Sequence, residues 1–317
     1  MKTKQLALMG INFLLKNLPE KQASLVKKIY NMPFKNIINF FPTFGCAYKC
    51  PYCVIHNRDL KKRYPKECER DWEDWVKVFK KLPRSKIYIS GGEPLSYPNL
   101  YKLINNIPKK HLIGISTNLS LPLDDFLKKI KRDVIIAVSF HPHMTDIESF
   151  KKQVLKLKKY GYSINVYVVA YPSLVSSLPK FKEEFEKIGA NFNVDPFIDP
   201  KTVEIFKYTK EQLEILEKCR IKFQNHETMH GGFSKNELKE CDAGSKYFAY
   251  MPNGDVYACL SGMYFEVNGL FMNNLFDGSF KSFPKSITCT RTCHSCDFDY
   301  SNVRKIKNNK NTISDIQ

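Results

Sequence analysis

Three cysteines, Cys46, Cys50 and Cys53, lie on one short segment of this 317-residue chain with the spacing C-x3-C-x2-C. Three thiolates on one loop can hold three irons of a four-iron cluster and leave the fourth iron open. An open metal position is a reaction site, whereas a fully ligated metal is structural. The same spacing would also suit a zinc knuckle with His56 as the fourth ligand, so the triplet alone leaves two kinds of metal site open.

A second motif, Gly91-Gly92-Glu93-Pro94, directly follows a short apolar run at residues 86–90 that is typical of a buried strand. Two glycines at the end of a strand let the backbone approach a ligand closely, because neither carries a Cβ atom. The presence of both motifs in this order favours an iron–sulfur reaction site over a zinc knuckle.

Together the two motifs resemble the signature of radical S-adenosylmethionine (SAM) enzymes. The resemblance implies a [4Fe–4S] cluster on the three cysteines, with SAM chelated to the open iron. It also implies that the segment from Gly91 to Pro94, including Gly92 and Glu93, contacts the methionyl amino group. Tyr52 matches the aromatic position whose backbone contacts the adenine.

The chemistry implied by this resemblance is reductive cleavage of SAM to methionine and a 5′-deoxyadenosyl radical. That radical removes a hydrogen atom from a substrate. In such enzymes the cofactor supplies the reactivity, while the protein positions the reactants and excludes water. A protein reductant such as flavodoxin or ferredoxin is therefore an expected partner.

These motifs require a scaffold that brings strand ends together, and the chain between residues 36 and 198 has the required pattern. Strands are predicted at 36–41, 86–90, 112–117, 134–140, 163–170 and 191–197, and helices at 71–81, 97–106, 122–131, 146–160, 177–188 and 209–219. Strands that alternate with helices indicate an α/β fold with a parallel sheet. Six repeats are fewer than the eight of a closed TIM barrel, and they match the partial (β/α)6 barrel of the radical SAM family.

Ligands of parallel α/β folds bind at the carboxyl ends of the strands, where both motifs fall. Ser116 and Asn118 end the third strand, and Ser139 ends the fourth. In the family that the chain resembles, residues at these positions often contact the SAM ribose or carboxylate. Each could equally be a loop cap or a satisfied polar group.

Two further side chains near the strand ends are candidates for a catalytic role. His141, with His143 beside it, could contact a substrate phosphate or transfer a proton. Asp195, near the end of the sixth strand, could bind a substrate hydroxyl or amine. Either side chain could instead make only structural hydrogen bonds.

A second cysteine group follows residue 240. Cys241 and Cys259 bracket a predicted hairpin around an Asn-Gly turn, and Cys293 and Cys296 follow with CxxC spacing. This pattern resembles the auxiliary-cluster region of SPASM and twitch domains and implies a second [4Fe–4S] cluster on these four cysteines. Cys289 could replace Cys293, and a four-cysteine zinc site is the alternative. Four thiolates leave no site for a substrate atom, which favours electron transfer.

The predicted organisation has four parts. They are an N-terminal helical extension at residues 1–35, a radical SAM partial barrel at 36–220, a small α+β twitch-like domain at 221–300 and a disordered tail at 301–317. Residues 4–18 are predicted to form an amphipathic helix that could rest on a membrane surface. No apolar stretch is long enough to span a bilayer.

Composition restricts the compartment and the partners. Ten cysteines in 317 residues are too sparse for a disulfide scaffold, and their grouping indicates metal sites in a reducing compartment, the cytoplasm. The formal net charge of +18 favours an anionic small-molecule substrate. The leading interpretation is dehydrogenation of a carbohydrate or nucleotide-linked substrate. A peptide maturase, an RNA-modifying enzyme and a non-enzymatic iron–sulfur or zinc-binding electron-transfer module are the alternatives.

Overall fold

The computed structural model describes residues 34–200, 206–219, 239–265, 269–289 and 303–305. The elements discussed below all belong to the unit that begins at Asn36. The predicted amphipathic helix at 4–18 lies outside the described residues. No helix in the described part of the chain combines the length and the apolar character needed to cross a bilayer.

Six parallel strands form the larger part of the main sheet: β1 (Asn36–Phe40), β2 (Ser85–Ile89), β3 (Leu112–Thr117), β4 (Ile135–Ser139), β5 (Asn165–Ala170) and β6 (Asn191–Pro196). Each strand pairs in parallel with the next one along the chain. The ends of every strand lie within two residues of the predicted ends. The α/β class and the partial barrel are therefore confirmed.

Helices connect these strands, as parallel pairing requires. They are α1 (Val54–Asn57), α2 (Leu60–Arg63), α3 (Trp72–Lys81), α4 (Leu100–Asn106), α5 (Asp124–Lys129), α6 (Ile147–Lys159), α7 (Leu178–Lys187) and α8 (Lys210–Lys218). The predicted N-cap of α6 is present, since the Asp146 carboxylate accepts a hydrogen bond from Ser149 N at 2.8 Å. Gly161 follows this helix with φ +87°, a conformation that glycine adopts without strain.

The helices bury aromatic side chains against one face of the sheet. Phe40 of β1 contacts Trp75 and Phe79 of α3, with ring centroids 4.5 and 5.2 Å away. Further along the sheet, Phe140 directly after β4 contacts Phe150 of α6 and Phe185 of α7, with ring centroids 4.9 and 5.4 Å away. Three of these four contacts are edge-to-face, a geometry that adds to the stability gained from burial. This packing holds the strand ends, and the loops that leave them, in fixed positions.

The C-terminal part of the chain adds six short strands and one helix: β7 (Lys239–Cys241), β8 (Tyr247–Tyr250), β9 (Asp255–Tyr257), α9 (Leu260–Phe265), β10 (Phe271–Asn274), β11 (Ile287–Cys289) and β12 (Val303–Lys305). The predicted hairpin is present as the antiparallel pair β8–β9. β8 also pairs in parallel with β1, so the main sheet has nine strands in the order β10-β9-β8-β1-β2-β3-β4-β5-β6.

A second sheet in this region has three strands, in the order β11-β7-β12. The prediction of a disordered tail at 301–317 is wrong for residues 303–305, because Val303 pairs with Cys241 and Lys305 with Lys239 across an antiparallel ladder. Backbone groups supply that ladder, so a polar sequence does not prevent it. The predicted boundary at residue 220 lies outside the described residues and stays a prediction.

Candidate active site

The loop that leaves β1 carries Cys46, Cys50 and Cys53. Cys50 is buried, whereas Cys46 and Cys53 are half-buried. Cys53 N donates to Cys50 O at 3.1 Å, and Cys53 then caps the start of α1. A tight turn followed by a helix therefore fixes the last two cysteines of the triplet relative to each other.

Two N–H groups point at the sulfur of Cys46. Tyr48 N lies 3.4 Å and Asn118 Nδ2 lies 3.3 Å from Cys46 Sγ. Hydrogen bonds to cluster sulfurs are one means by which a protein tunes a reduction potential. Asn118, which the sequence placed at the end of β3, is thus brought directly against the first cysteine.

The three thiols form a donor set that needs a cationic partner. Burial raises the pKa of Cys46, and it raises the pKa of Cys50 to about 12 with further contributions from neighbouring Cys53 and Cys46. Ionising three adjacent thiols is costly unless a metal centre supplies positive charge, and a coordinated thiol is deprotonated outright. These residues fit a cluster with three thiolate ligands. Among the described residues, no three His, Cys, Asp or Glu side chains converge as ligands of a single ion.

The segment Gly91-Gly92-Glu93 packs directly on the cysteine loop. Gly92 N donates to Thr43 O at 3.1 Å, and Glu93 N donates to Gly45 O at 2.7 Å. A Cβ on Gly91 would lie 2.2 Å from Thr43 O, and one on Gly92 would lie 2.2 Å from Gly45 O. No real Cβ tolerates such distances, so both glycines are required for the contact. The two sequence motifs therefore form one structural unit.

The Glu93 carboxylate is buried beneath this unit and accepts three hydrogen bonds. Oε1 accepts from Leu95 N at 3.0 Å and from Thr117 Oγ1 at 2.8 Å, and Oε2 accepts from Asn118 N at 2.7 Å. Burial raises the pKa of Glu93, and the three donors oppose that rise. Pro94, also buried, follows as the first residue of a 3₁₀ turn. The carboxylate thus links the glycine segment to the end of β3.

Ser116 and Ser139 lie on the sheet face opposite the helices. Ser116 pairs with Ala137 across β3 and β4, and Ser139 pairs with Tyr167 across β4 and β5. Because side chains alternate along a strand, both serines and Tyr167 share one face. Both serines are half-buried. They line the inner wall of the partial barrel at its carboxyl end.

Aromatic rings surround His141 beside the cysteine loop. Tyr52 Oη lies 2.9 Å from His141 Nδ1, and the two ring centroids are 5.7 Å apart. Tyr171 at the end of β5 packs 5.4 Å from Tyr52 and 5.3 Å from His143. Burial lowers the pKa of His141 to about 4, with a smaller contribution from His143, so its imidazole is neutral at pH 7. The sequence analysis does not name Tyr171 as a site residue. Its position directly after a predicted strand is the signal that could have identified it.

Asp195 lies two strands away from β4, on the exposed surface of β6. It pairs with Val169 of β5 and shares the inner face with Tyr167. Burial raises the pKa of Tyr167, and the Asp195 and Tyr88 charges raise it further. Tyr88 of β2, Tyr167 of β5 and the exposed Asp195 of β6 therefore lie on the strands of the sheet rather than on the cysteine loop.

The second cysteine group is described in part. Cys241 in β7 and Cys259, which precedes α9, are both buried. Gly244 N donates to Ala258 O at 3.2 Å, which brings the chain after Cys241 beside the chain before Cys259. Cys289 ends β11, two residues after Ile287, which pairs with Cys241. Cys293 and Cys296 lie outside the described residues.

Helix α9 begins directly after Cys259 and packs near the helices that follow the cysteine loop. Burial raises the pKa of Tyr264 in this helix, with a smaller contribution from Cys53. Arg63 Nη1 of α2 contacts Met263 O at 3.5 Å, and Tyr64 Oη lies 3.0 Å from Tyr257 Oη. The described residues of the C-terminal part therefore pack against the helices that follow the cysteine loop.

Comparison with known proteins agrees with this geometry. Residues 40–171 match the family model described as the radical SAM superfamily. A probable GTP 3′,8-cyclase of Methanococcus maripaludis is 30% identical over 170 residues, which are 48% of this chain and 56% of that protein. The GTP 3′,8-cyclase of Aquifex aeolicus is 25% identical over 194 residues, which are 53% and 58% of the two chains. The chain thus spans a little over half the length of these relatives.

Two groups of solved structures share the fold over more of the chain. Streptococcus suis SuiB bound to the precursor peptide SuiA has a TM-score of 0.55 at 15% identity, covering 82% of this chain and 68% of that one. The protein anSMEcpe with bound AdoMet and the Kp18Cys peptide has a TM-score of 0.55 at 18% identity, covering 77% and 79%. At such identities the likeness concerns the fold.

Proposed function

We propose that this chain, whose residues 40–171 match the radical SAM superfamily model, is a member of that superfamily: it binds SAM beside Cys46, Cys50 and Cys53, cleaves it reductively and removes a hydrogen atom from a substrate. The observation that carries this proposal is the packing of Gly91, Gly92 and Glu93 on the cysteine loop. That packing brings three thiols and a close-approach backbone segment to one edge of a parallel sheet, where ligands of such folds bind.

The three cysteines would hold a [4Fe–4S] cluster, which supplies the electron that splits SAM into methionine and a deoxyadenosyl radical. The chain's own residues position the reactants. Glu93 holds the glycine segment and Asn118 in register through three hydrogen bonds. Asn118 in turn donates to Cys46 Sγ. Ser116 and Ser139 offer hydroxyl groups to the SAM ribose or carboxylate on the inner face, and Tyr52 closes the side towards His141.

The test is SAM cleavage without substrate. Anaerobically reconstituted protein, reduced with dithionite, should release 5′-deoxyadenosine slowly, as measured by chromatography. Cys46→Ala, Cys50→Ala and Cys53→Ala should each abolish the release, because each removes one of three ligands. Cys68→Ala is the matched control, since Cys68 is half-buried in a separate 3₁₀ turn and its loss should leave cleavage intact. Cleavage by the triple variant would contradict the proposal.

For the substrate we propose an anionic, nucleotide-linked or carbohydrate molecule that is dehydrogenated. Two facts support this class: the net charge of +18, and sequence similarity to enzymes named GTP 3′,8-cyclases. His141 and Asp195 are the candidate groups for contact with such a substrate. Incubation with a panel of nucleoside diphosphate sugars should raise deoxyadenosine release above the substrate-free level. A panel that never does so would contradict this class.

Peptide modification is the second candidate. It is supported by the fold that the chain shares with SuiB and anSMEcpe, which were solved with bound peptides. RNA modification draws only on the charge. To test these two candidates, deoxyadenosine release is measured under the same conditions with a panel of short peptides and with transfer RNA. Stimulation by a peptide alone would favour this candidate over the nucleotide-linked one.

We propose that Cys241, Cys259, Cys293 and Cys296 hold a second [4Fe–4S] cluster that serves electron transfer. Its support is the burial of Cys241 and Cys259 and the hydrogen bond from Gly244 N to Ala258 O, which brings the segments beside these two cysteines together. Reconstituted protein should contain about eight irons, and Cys241→Ala or Cys259→Ala about four. These variants should lose product formation but keep substrate-free SAM cleavage. Four irons with one zinc in the unmodified protein would contradict a second cluster.

We expect the enzyme in the cytoplasm, where thiolate sites persist.

A further inference from the structure

The amino ends of three neighbouring strands carry a concentrated positive charge. β2, β3 and β4 pair in parallel, so the loops that lead into them, residues 80–86, 107–111 and 128–133, lie at one edge of the sheet. These loops contain ten Lys or Arg residues and a single acidic residue, Asp133, a net charge of +9 out of the chain's +18. Half of the net charge is therefore gathered in three short loops.

The opposite edge of the same three strands has none of this charge. The loops that leave β2, β3 and β4 span residues 90–99, 118–123 and 140–146. They contain no Lys or Arg, and their two acidic residues are Glu93 and Asp146. A basic composition alone would place cations at both edges of the sheet, so the difference is a property of this fold.

Helix dipoles account for only part of the charge. Cations are favoured in the last turn of a helix, and α3 and α5 each end with two lysines. Helix α4 has no basic residue in its last turn, and Lys109, Lys110 and Lys131 lie beyond the ends of their helices. The charge at this edge thus exceeds what the helices need for their own stability.

Hydrogen bonds join the three loops into one surface. Lys110 Nζ donates to Lys80 O at 3.3 Å, which joins the first loop to the second. Arg132 Nη1 donates to Ile107 O and its Nη2 to His111 O at 2.8 Å, which joins the second loop to the third. We call the exposed lysines of these loops the basal lysine surface: Lys80, Lys81, Lys109, Lys110, Lys128 and Lys131.

Carboxylates of the chain neutralise the neighbouring lysines and not these six. Lys129 pairs with Asp125 at 3.1 Å, and Lys156 pairs with Asp124 at 2.6 Å. Within the described residues, no lysine of the basal lysine surface forms an ion pair. Like charges held on one surface repel each other, so an external anionic partner would stabilise it.

Two large apolar side chains are exposed at the same edge. Ile135 begins β4, Tyr160 lies between α6 and β5, and both are 47% exposed. Lysines that surround an aliphatic side chain and a tyrosine are suited to the interface of an anionic bilayer. Nucleic acids favour guanidinium forks, but the exposed cations here are lysines, and Arg132 is engaged by backbone carbonyls.

We propose that the basal lysine surface docks the protein on an anionic lipid bilayer. β1 begins at this edge of the sheet, and the sequence before it contains the predicted amphipathic segment 4–18, a second feature suited to a membrane surface. The six residues of β3 separate the two edges of the sheet by about 20 Å. The cysteine loop then faces away from the bilayer and stays open to reactants dissolved in water.

The experiment sediments the reconstituted full chain with vesicles of phosphatidylcholine alone or of equal parts phosphatidylcholine and phosphatidylglycerol. Lys109→Glu with Lys131→Glu reverses two charges of the surface, and neither side chain makes a hydrogen bond or ion pair within the described residues. Lys180→Glu with Lys210→Glu is the matched control. Both of these lysines are exposed in the first turns of α7 and α8, where an acidic residue is favoured. Thermal unfolding verifies that each variant is folded.

The unmodified protein should sediment with the vesicles that contain phosphatidylglycerol and not with phosphatidylcholine alone. The Lys109/Lys131 variant should partition at least about thirtyfold more weakly, because two attractions to the anionic surface become repulsions. The Lys180/Lys210 control has the same net charge and should sediment like the unmodified protein. Binding should weaken strongly in 0.5 M salt, where exposed charges are screened.

Equal sedimentation of the unmodified protein with both kinds of vesicle, or with neither, would overturn the proposal without reference to any variant. So would an equal loss in the Lys180/Lys210 control, since total charge would then be the cause. Binding of transfer RNA that depends on Lys109 and Lys131, without binding of vesicles, would assign the surface to nucleic acid instead. Sedimentation requires no SAM cleavage, so failure of the proposed function would leave this result unaffected.

Discussion

Asn118 and Glu93 show how much of this site is arranged by residues that hold others in place. Both Glu93 oxygens accept hydrogen bonds from groups at the end of β3 or the start of the 3₁₀ turn. Asn118 uses its backbone N–H towards Glu93 and its side-chain amide towards Cys46. The position of the first cysteine thus depends on a carboxylate that makes no described contact with any sulfur.

Glu93→Gln should therefore destabilise the fold. A glutamine amide offers one oxygen in place of two, so at least one buried donor loses its acceptor, at a cost on the order of 1–3 kcal/mol. The free energy of unfolding from urea titration measures the effect. Glu67→Gln, on an exposed side chain, should change it by less than about 0.5 kcal/mol. Equal values for the two variants would show that the buried hydrogen bonds of Glu93 contribute nothing.

Gly92→Ala should displace the cysteine loop and reduce the iron bound there. Its Cβ would lie 2.2 Å from Gly45 O and 2.5 Å from Phe44 O, so the backbone segments must separate. Iron analysis after reconstitution checks this. Gly278→Ala is the control, because a Cβ there meets nothing within 4 Å and only its positive φ carries a cost of about 1–2 kcal/mol. Full iron content in Gly92→Ala would show that the close contact is dispensable.

At the scale of elements, the barrel could be read from the sequence because its strands and helices differ in hydrophobic period. Asp146 and Gly161 mark both ends of α6, and its predicted range was correct to one residue. The helices α1, α2 and α9 were not predicted. α1 and α2 have four residues each, which is too short for a 3.6-residue period to be recognised.

The candidate site was predictable to a lesser degree. Its cysteines and glycines occur in two short motifs with fixed spacing, so they can be recognised directly from the sequence. The contacts of Tyr52 with His141 and Tyr171 join residues from three different loops. The pairing of β8 with β1 joins segments about two hundred residues apart. Such contacts depend on the whole packing, and no local pattern encodes them.

His111 joins three elements and gives the fold a pH dependence. Its Nδ1 accepts from Ser85 N at 3.2 Å and its Nε2 lies 2.9 Å from Phe79 O, so the neutral ring is bonded on both sides. Burial, the largest cause, lowers the pKa of His111 from 6.5 to about 4. Between pH 4 and pH 6.5 the unfolded chain binds more protons at His111 than the folded chain does. The contribution of His111 to the free energy of unfolding is therefore fully present above pH 6.5 and is lost as the pH falls towards 4.

The expected loss from His111 is at most about 3 kcal/mol over that interval. His111→Gln should be less stable at pH 7, since a buried pair of hydrogen bonds is disturbed, and its stability should change less between pH 6.5 and 4. Thermal unfolding at a series of pH values measures both effects. His56→Gln, on an exposed side chain, should follow the unmodified protein. A parallel decline in His111→Gln would assign the pH dependence to other groups.

At the scale of the whole molecule, positive charge is the dominant surface property, with 50 Lys and Arg against 32 Asp and Glu. The sheet is the other unifying feature. β1 has β2 on one side and β8 on the other, so the strand that leads into the cysteine loop is hydrogen-bonded along both edges. Phe41 N also donates to Tyr250 O, which continues the pairing into the loop.

This double pairing has a consequence for any attempt to produce the barrel alone. A fragment ending at residue 219 would leave one side of β1 with unsatisfied N–H and C=O groups along the apolar segment Ile-Ile-Asn-Phe-Phe. An exposed apolar strand edge recruits strands from other molecules and promotes aggregation. We expect fragment 1–219 to be found in inclusion bodies or as large particles in light scattering, whereas the full chain should disperse. The C-terminal strands thus protect the edge of β1 against self-association, in addition to any role they have in a second metal site.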